Sequence, residues 1–202
     1  MSNKVFIGLI LMIVVGVIGF IVLSPTTPMP KRAPILASLS SLNTGPAPWQ
    51  PEYTHLADRL KADGLSLLGA EGNATHIHAH LDIYIHGQQL AVPAEIGIPS
   101  TGGITPVHTH DTSGIIHIES PDYNASYTLS QFFDIWGVKL TDTSIGGYTN
   151  NATDKLAVYD NGKAIKDPVN LSLSKHHEIV ITYGTTQEQP HIAKSYSFPS
   201  GL

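Results

Sequence analysis

Cysteine is absent from these 202 residues. That removes a disulfide framework, thiolate zinc sites, iron–sulfur clusters and the thiolate-ligated blue-copper centre. Any metal must be held by nitrogen and oxygen. Charge is scarce as well: 13% of residues are charged, and a net charge of -5 with a pI near 6.1 gives no basic footprint for DNA or RNA. Nucleic acid is set aside as a partner. Methionine is rare, and Met1, Met12 and Met29 all lie in or beside an N-terminal apolar run, so no soft Met-rich Cu(I) site is available. There is no nucleophile elbow, no His-Glu-x-x-His helix and no phosphate loop. Beyond the N-terminal run, long helical periodicity and internal repeats are also missing.

One long hydrophobic run is present. Val5 to Leu23 are uncharged and almost all aliphatic, and at about 1.5 Å per residue they nearly cross a hydrocarbon core of roughly 30 Å. The length, and the lack of an Ala-x-Ala-like cleavage site before Ser24-Pro25-Thr26-Thr27-Pro28, favour a retained membrane anchor over residues 1–23 rather than a cleaved signal peptide. Lys4 flanks one side of the run while Lys31 and Arg32 flank the other, so charge does not decide its orientation. Asn-x-Ser/Thr triplets begin at Asn73, Asn124, Asn151 and Asn170, an excess that points to glycosylation and to an extracytoplasmic C-terminal domain on a single-pass protein of the cell membrane.

Ser24 to Pro51 holds half of the fourteen prolines and reads as an extended stalk over residues 24–51. Residues 52–202 then form one domain. Pro51 to Asp63 predicts a short amphipathic helix stopped by Gly64, with His55 on its solvated side. Thr75 to His86 predicts a strand, Gly87-Gln88 a turn, and Leu90 to Val92 a partner strand ending at Pro93. Val107 to His110 and Ile115 to Glu119 predict a tight hairpin around Asp111-Thr112-Ser113-Gly114. Thr128-Leu129-Ser130-Gln131 has the capping-box form and opens a helix from Leu129 to Trp136 that ends at Gly137, with Phe132, Phe133 and Trp136 as core. Leu156 to Tyr159 and the segment after Asn161-Gly162 predict a second hairpin, Ile179 to Tyr183 a last strand, and Thr185 to Leu202 an irregular tail or edge segment. Regularly spaced short strands argue for a mainly β fold, an antiparallel sandwich or small barrel with two short helices; a mixed α+β arrangement is the alternative.

The informative residues are the histidines. Seven of eleven fall between His76 and His117. In His76-Ile77-His78-Ala79-His80-Leu81-Asp82-Ile83-Tyr84-Ile85-His86 they alternate with apolar residues, and a strand sends the two sets to opposite faces, one toward the core and one free for chemistry. Closing the hairpin with Asp111 opposite Gly114 puts His108 across from His117, His110 diagonal to it and Pro106 across from Glu119. Each His-x-His pair is a bidentate unit for a metal at about 2.0–2.1 Å. The candidate metal residues are therefore His76, His78, His80, Asp82, His108, His110, His117 and Glu119, with Asp82 or Glu119 serving as ligand or as acceptor from an imidazole N–H. An ordinary solvent-facing stripe would be filled with Thr, Lys, Glu and Ser, which are nearly missing between His76 and His86. His176-His177-Glu178 reads as a turn before the last strand, and His191 as surface.

An all-imidazole site with carboxylates suits Zn, Cu(II), Ni or non-haem Fe, and at equal availability Cu(II) binds most tightly, so copper is favoured over zinc. The run from Val107 to Glu119, with Gln131-Phe132-Phe133-Asp134-Ile135-Trp136-Gly137 behind it, resembles a group of single-span, His-rich extracytoplasmic proteins of bacteria and archaea, over about residues 70 to 184. The group has no assigned activity, so the resemblance implies anchoring and metal binding only. Gly102, five residues and His108-Thr109-His110 also match the opening of the first cupin metal motif, but the cupin glutamate would fall near Gly114 or Ile115, and Glu119 comes too late for it.

Three functions follow as expectations. The first is a membrane-anchored binder of a divalent transition metal, for storage, delivery or service as an accessory subunit of a membrane-bound copper enzyme. The second is a hydrolytic or oxidative metalloenzyme with three His ligands and Glu119 or Asp82 as general base. The third is a metal-free interaction module whose histidines respond to pH.

Overall fold

The computed structural model describes residues 41–202. The expected anchor from Val5 to Leu23 and the first part of the expected stalk lie outside the described residues. Among the described residues no helix is long and apolar enough to cross a membrane.

The chain forms α1 (Leu56–Ala62), β1 (Thr75–Ile85), β2 (Gln88–Leu90), β3 (Val107–His108), β4 (Ile115–Ser120), α2 (Leu129–Trp136), β5 (Leu140–Thr141), β6 (Ser144–Ile145), β7 (Tyr148–Thr149), β8 (Lys155–Asp160), β9 (Lys163–Ala164) and β10 (Glu178–Gly184). The result is mainly β with two short helices. The larger sheet runs β3-β4-β1-β10-β8-β9, with β2 also on β1, and β5-β6-β7 make a small second sheet.

The sheet is mixed where an antiparallel one was expected, because β1 and β10 run parallel from His80↔Glu178 to Ile85↔Tyr183. Parallel strands are covered on both faces and lose the alternation of half-exposed ones. Every residue of β10 is buried, including Val180 and Thr182, which share the histidine face. Part of that cover comes from the C-terminal tail, which forms no strand and lays the Tyr196 ring flat on His80 at 3.7 Å between centroids.

On the other face Ala79, Leu81, Ile83, Ile116, Ile118, Ile179 and Ile181 are fully buried in one core with Phe132, Phe133, Ile135 and Trp136 of α2. Each large side chain so buried contributes about 1.5–3 kcal/mol. Helix α2 starts where the sequence places it: the Thr128 hydroxyl accepts from the Gln131 N–H while the Gln131 side chain accepts from the Thr128 N–H, and Gly137, at φ 84°, closes the other end in the left-handed region that favours glycine.

The end of the expected stalk, residues 41–51, lies against the domain. Trp49 is buried, with its ring edge-on to Trp136 at 6.0 Å, so one large aromatic overrides the proline-rich composition around it. Arg59 of α1 is buried and donates to the Glu52 carboxylate and to the carbonyls of Glu52 and Asp134, tying α1 and this N-terminal segment to α2. Burial works against the Glu52 carboxylate, but the bond and charge of Arg59 outweigh it and bring its pKa down to about 2.

Candidate metal centre

The register of three neighbouring strands assembles the site. Strands β3 and β4 pair His108 with His117, and β1 and β4 pair His78 with His117 and His76 with Glu119. Directly paired residues share a face, so His108, His117 and His78 form a row across the sheet. The hairpin register deduced from the sequence is present, and the Glu119 N–H donates to the Pro106 carbonyl at 2.8 Å. Its closure differs. The β3–β4 ladder ends at His108, because Thr109 bonds instead to Pro93, Glu95 and Ile96, while the Gly114 carbonyl accepts from Leu81 of β1. Residues 109–114 therefore bow out as a loop.

His110 returns its ring to the row from the start of that loop. Ring centroids lie 4.5 Å apart for His110–His117, 4.8 Å for His108–His110, 4.6 Å for His78–His117 and 5.1 Å for His76–His78. Five imidazoles are thus in one chain of contacts. The Nε2 atoms of His108 and His110 are 3.2 Å apart, close to the roughly 3.3 Å separating two nitrogens bound at about 2.0–2.1 Å around one tetrahedral metal.

Protonation favours ligation. The Nδ1–H of His108 donates to the Thr105 carbonyl at 2.9 Å, which leaves Nε2 as the bare nitrogen facing His110. Burial, reinforced by the neighbouring rings, pushes the pKa of His108 down to about 3 and those of His78 and His117 down to about 4. These three rings are neutral at pH 7 and offer lone pairs. Glu119 is 3% exposed; its Oε1 lies 3.1 Å from His117 Nδ1 and 3.3 Å from His76 Nε2. Burial and the nearby charge of Glu71 raise its pKa. Two groups that could hold a metal ion result, His108–His110–His117–Glu119 and His76–His78–Glu119.

His80 and Asp82 share the strand face but fall into another group, with Glu178. His80 Nδ1 lies 2.7 Å from Glu178 Oε2, and its Nε2 lies 2.9 Å from the Ser113 carbonyl. Both nitrogens face acceptors, an arrangement that favours the protonated ring. Burial opposes that charge, but the bond to Glu178, its charge, Asp82 and the Ser113 carbonyl together raise the His80 pKa. His80 ties β1 to β10 and to the 109–114 loop, and His80, Asp82 and Glu178 make a third group that could hold a metal ion. Asp82 accepts from the Gln89 amide at 2.7 Å.

A further group, His86–Asp154–Glu188, joins the end of β1 to two loops, with His86 Nδ1 3.1 Å from Glu188. His176 takes a left-handed backbone (φ 58°) in the turn expected there, and His55 and His191 are exposed.

The sequence reading missed Glu71, which lies 3.3 Å from His110 Nε2, together with Glu178 and Tyr196. Glu178 opens β10, and only the parallel pairing of β10 with β1, which no local pattern gives, sets it beside His80. Glu71 and Tyr196 lie in irregular segments, where no period signals them. No family model, curated protein or solved structure matches the chain.

Proposed function

We propose that this protein binds a divalent transition metal, copper in preference to zinc, at the His108–His110–His117–Glu119 group. The observation that carries the reading is the pair of Nε2 atoms at 3.2 Å, with the far nitrogen of His108 fixed by the Thr105 carbonyl. Two ring nitrogens at that distance are joined either by an N–H of His110 or by a shared cation, and the bare Nε2 of His108 is a ready lone pair for a cation that displaces that proton. An N/O donor set rich in imidazole favours Cu(II) over Zn by the usual order of affinities. With the N-terminal apolar run as membrane anchor, the domain serves outside the cytoplasm in copper storage, in delivery, or as an accessory subunit of a membrane copper enzyme.

The test is metal analysis by mass spectrometry on the purified chain, with affinity set against a competing chelator. At least one tightly held ion per chain is expected, and it is lost in the double variant His108→Ala, His110→Ala. Less than one ion, or binding unchanged in the variant, overturns the proposal.

A second reading, a metalloenzyme, draws on one observation: Glu119 is a buried carboxylate of raised pKa beside the imidazoles. The cleft of about 340 Å³ that opens between β2 and residues 112–114 does not favour it, because Asp82, Gln89 and Ser113 line it and none of the five clustered histidines does.

A further inference from the structure

We infer that the histidine face holds two metal ions joined through Glu119; the inference rests on the metal-binding reading above and deepens it. The two candidate groups have no histidine in common and share only Glu119. A single tetrahedral ion takes four ligands, whereas this face supplies five imidazoles and a carboxylate. One ion at His108–His110–His117–Glu119 leaves His76 and His78 idle.

The carboxylate is oriented for both groups. Its Oε1 faces His76 Nε2 at 3.3 Å and His117 Nδ1 at 3.1 Å, while its Oε2 lies on the side of His108, 3.9 Å from Nε2. Glu119 Oε2 and His78 Nε2 are both buried and make no hydrogen bond. Buried polar atoms are nearly always bonded. Two unbonded atoms within the imidazole cluster, one on the shared carboxylate and one on His78, are therefore two coordination positions. His78 is 3% exposed, with its ring against those of His76 and His117, so its unbonded Nε2 is out of reach of bulk water. Contact between the groups is direct, with the His78 and His117 rings 4.6 Å apart. That suits the spacing of about 3.5–4 Å common to two-metal sites. Glu71, 3.3 Å from His110 on the exposed side, adds a carboxylate where the cations enter.

The experiment is stepwise loading of the purified chain with Cu(II), read by bound metal per chain and by electron paramagnetic resonance. Two ions per chain are expected, with the spin signal growing over the first equivalent and then losing integrated intensity, or gaining a half-field line, as the second ion couples to the first through Glu119. The double variant His76→Ala, His78→Ala should hold one ion with an ordinary uncoupled signal, and Glu119→Gln should abolish the coupling. Saturation at one ion in the unmodified chain overturns this inference and leaves the proposed function standing. Two ions whose signals add without coupling also overturn it, since they place the second ion away from Glu119. No bound ion overturns the proposed function itself. The measurements on the unmodified chain decide the matter even if a variant folds poorly.

Discussion

Lowering the pH on the metal-free protein should destabilise it steeply, before any carboxylate near its ordinary pKa is protonated. His78, His108 and His117 titrate at about 4, 3 and 4 in the folded chain against 6.5 when exposed. A buried neutral histidine of lowered pKa is unprotonated in the fold while the unfolded chain takes up its proton, so its stabilising contribution is complete above pH 6.5 and falls as the pH drops toward the folded value. Each proton of difference is worth about 1.36 kcal/mol per pH unit, so from pH 6.5 to about 5.5 each ring loses about 1 kcal/mol and the three about 3 kcal/mol. Three groups work the other way. His80, with its raised pKa, has its stabilising effect nearly complete at pH 6.5 and fully present below, and Glu119 and Glu178, both raised by burial, take up protons earlier in the fold than in the unfolded chain. The net fall is about 2–3 kcal/mol, a large share of the 5–15 kcal/mol typical of a domain. Urea unfolding in the presence of a chelator, followed by the fluorescence of buried Trp49 and Trp136, measures it directly. His108→Gln should flatten the dependence by about 1 kcal/mol. A change below about 1 kcal/mol, or a stability that rises over this interval, would refute the claim that these rings are held neutral by burial.

Free Cu(II) at about a hundred times its dissociation constant should stabilise the protein by roughly 2.7 kcal/mol, or about 5–10 °C in a thermal melt, and a melt that copper leaves in place speaks against binding by the folded state. Arg59→Met strips a buried charge from Glu52 and two carbonyls and should cost about 3–5 kcal/mol in denaturant titration; a loss under about 1 kcal/mol would show that α1 is held by its apolar face alone. Gly114→Ala sets a Cβ 2.6 Å from the Leu81 carbonyl and 2.9 Å from His80 Nε2 at a φ of 87°, and should cost about 2 kcal/mol or more. Its outcome is read in the stability and in the His80 ring resonances, and wild-type values for both would mean that the loop is not clamped.

Local chemistry was legible in the sequence. The capping box and Gly137 bounded α2 within a residue, Asn161-Gly162 formed the two-residue turn between Asp160 and Lys163, and the alternation around His78 placed the histidines on one face. The deduced pairing of His108 with His117 held because both strands must bury Val107, Ile116 and Ile118 on the opposite side, which fixes the register. Distant pairing was not legible. Nothing near Glu178 announces that it meets His80, 98 residues earlier, and that meeting removes His80 from the imidazole cluster. Strands β5, β6 and β7 have two residues each, too few to show a period. Trp49 sits among prolines, so composition hid a core residue.

The late partner of β1 also sets an order of events. His176 and His177 bond to the backbone at His78 and His80, and β10 carries that pairing on to Ile85. During synthesis the imidazoles from 76 to 117 emerge well before these backbone partners, and one flank of their strand waits, bare, for the chain to finish. Closing so long a loop is slow, in the range of milliseconds to seconds for folds ruled by non-local pairing. A cation that arrived early would meet rings on a half-built sheet, whose central strand is flanked on both sides only when the last strand docks.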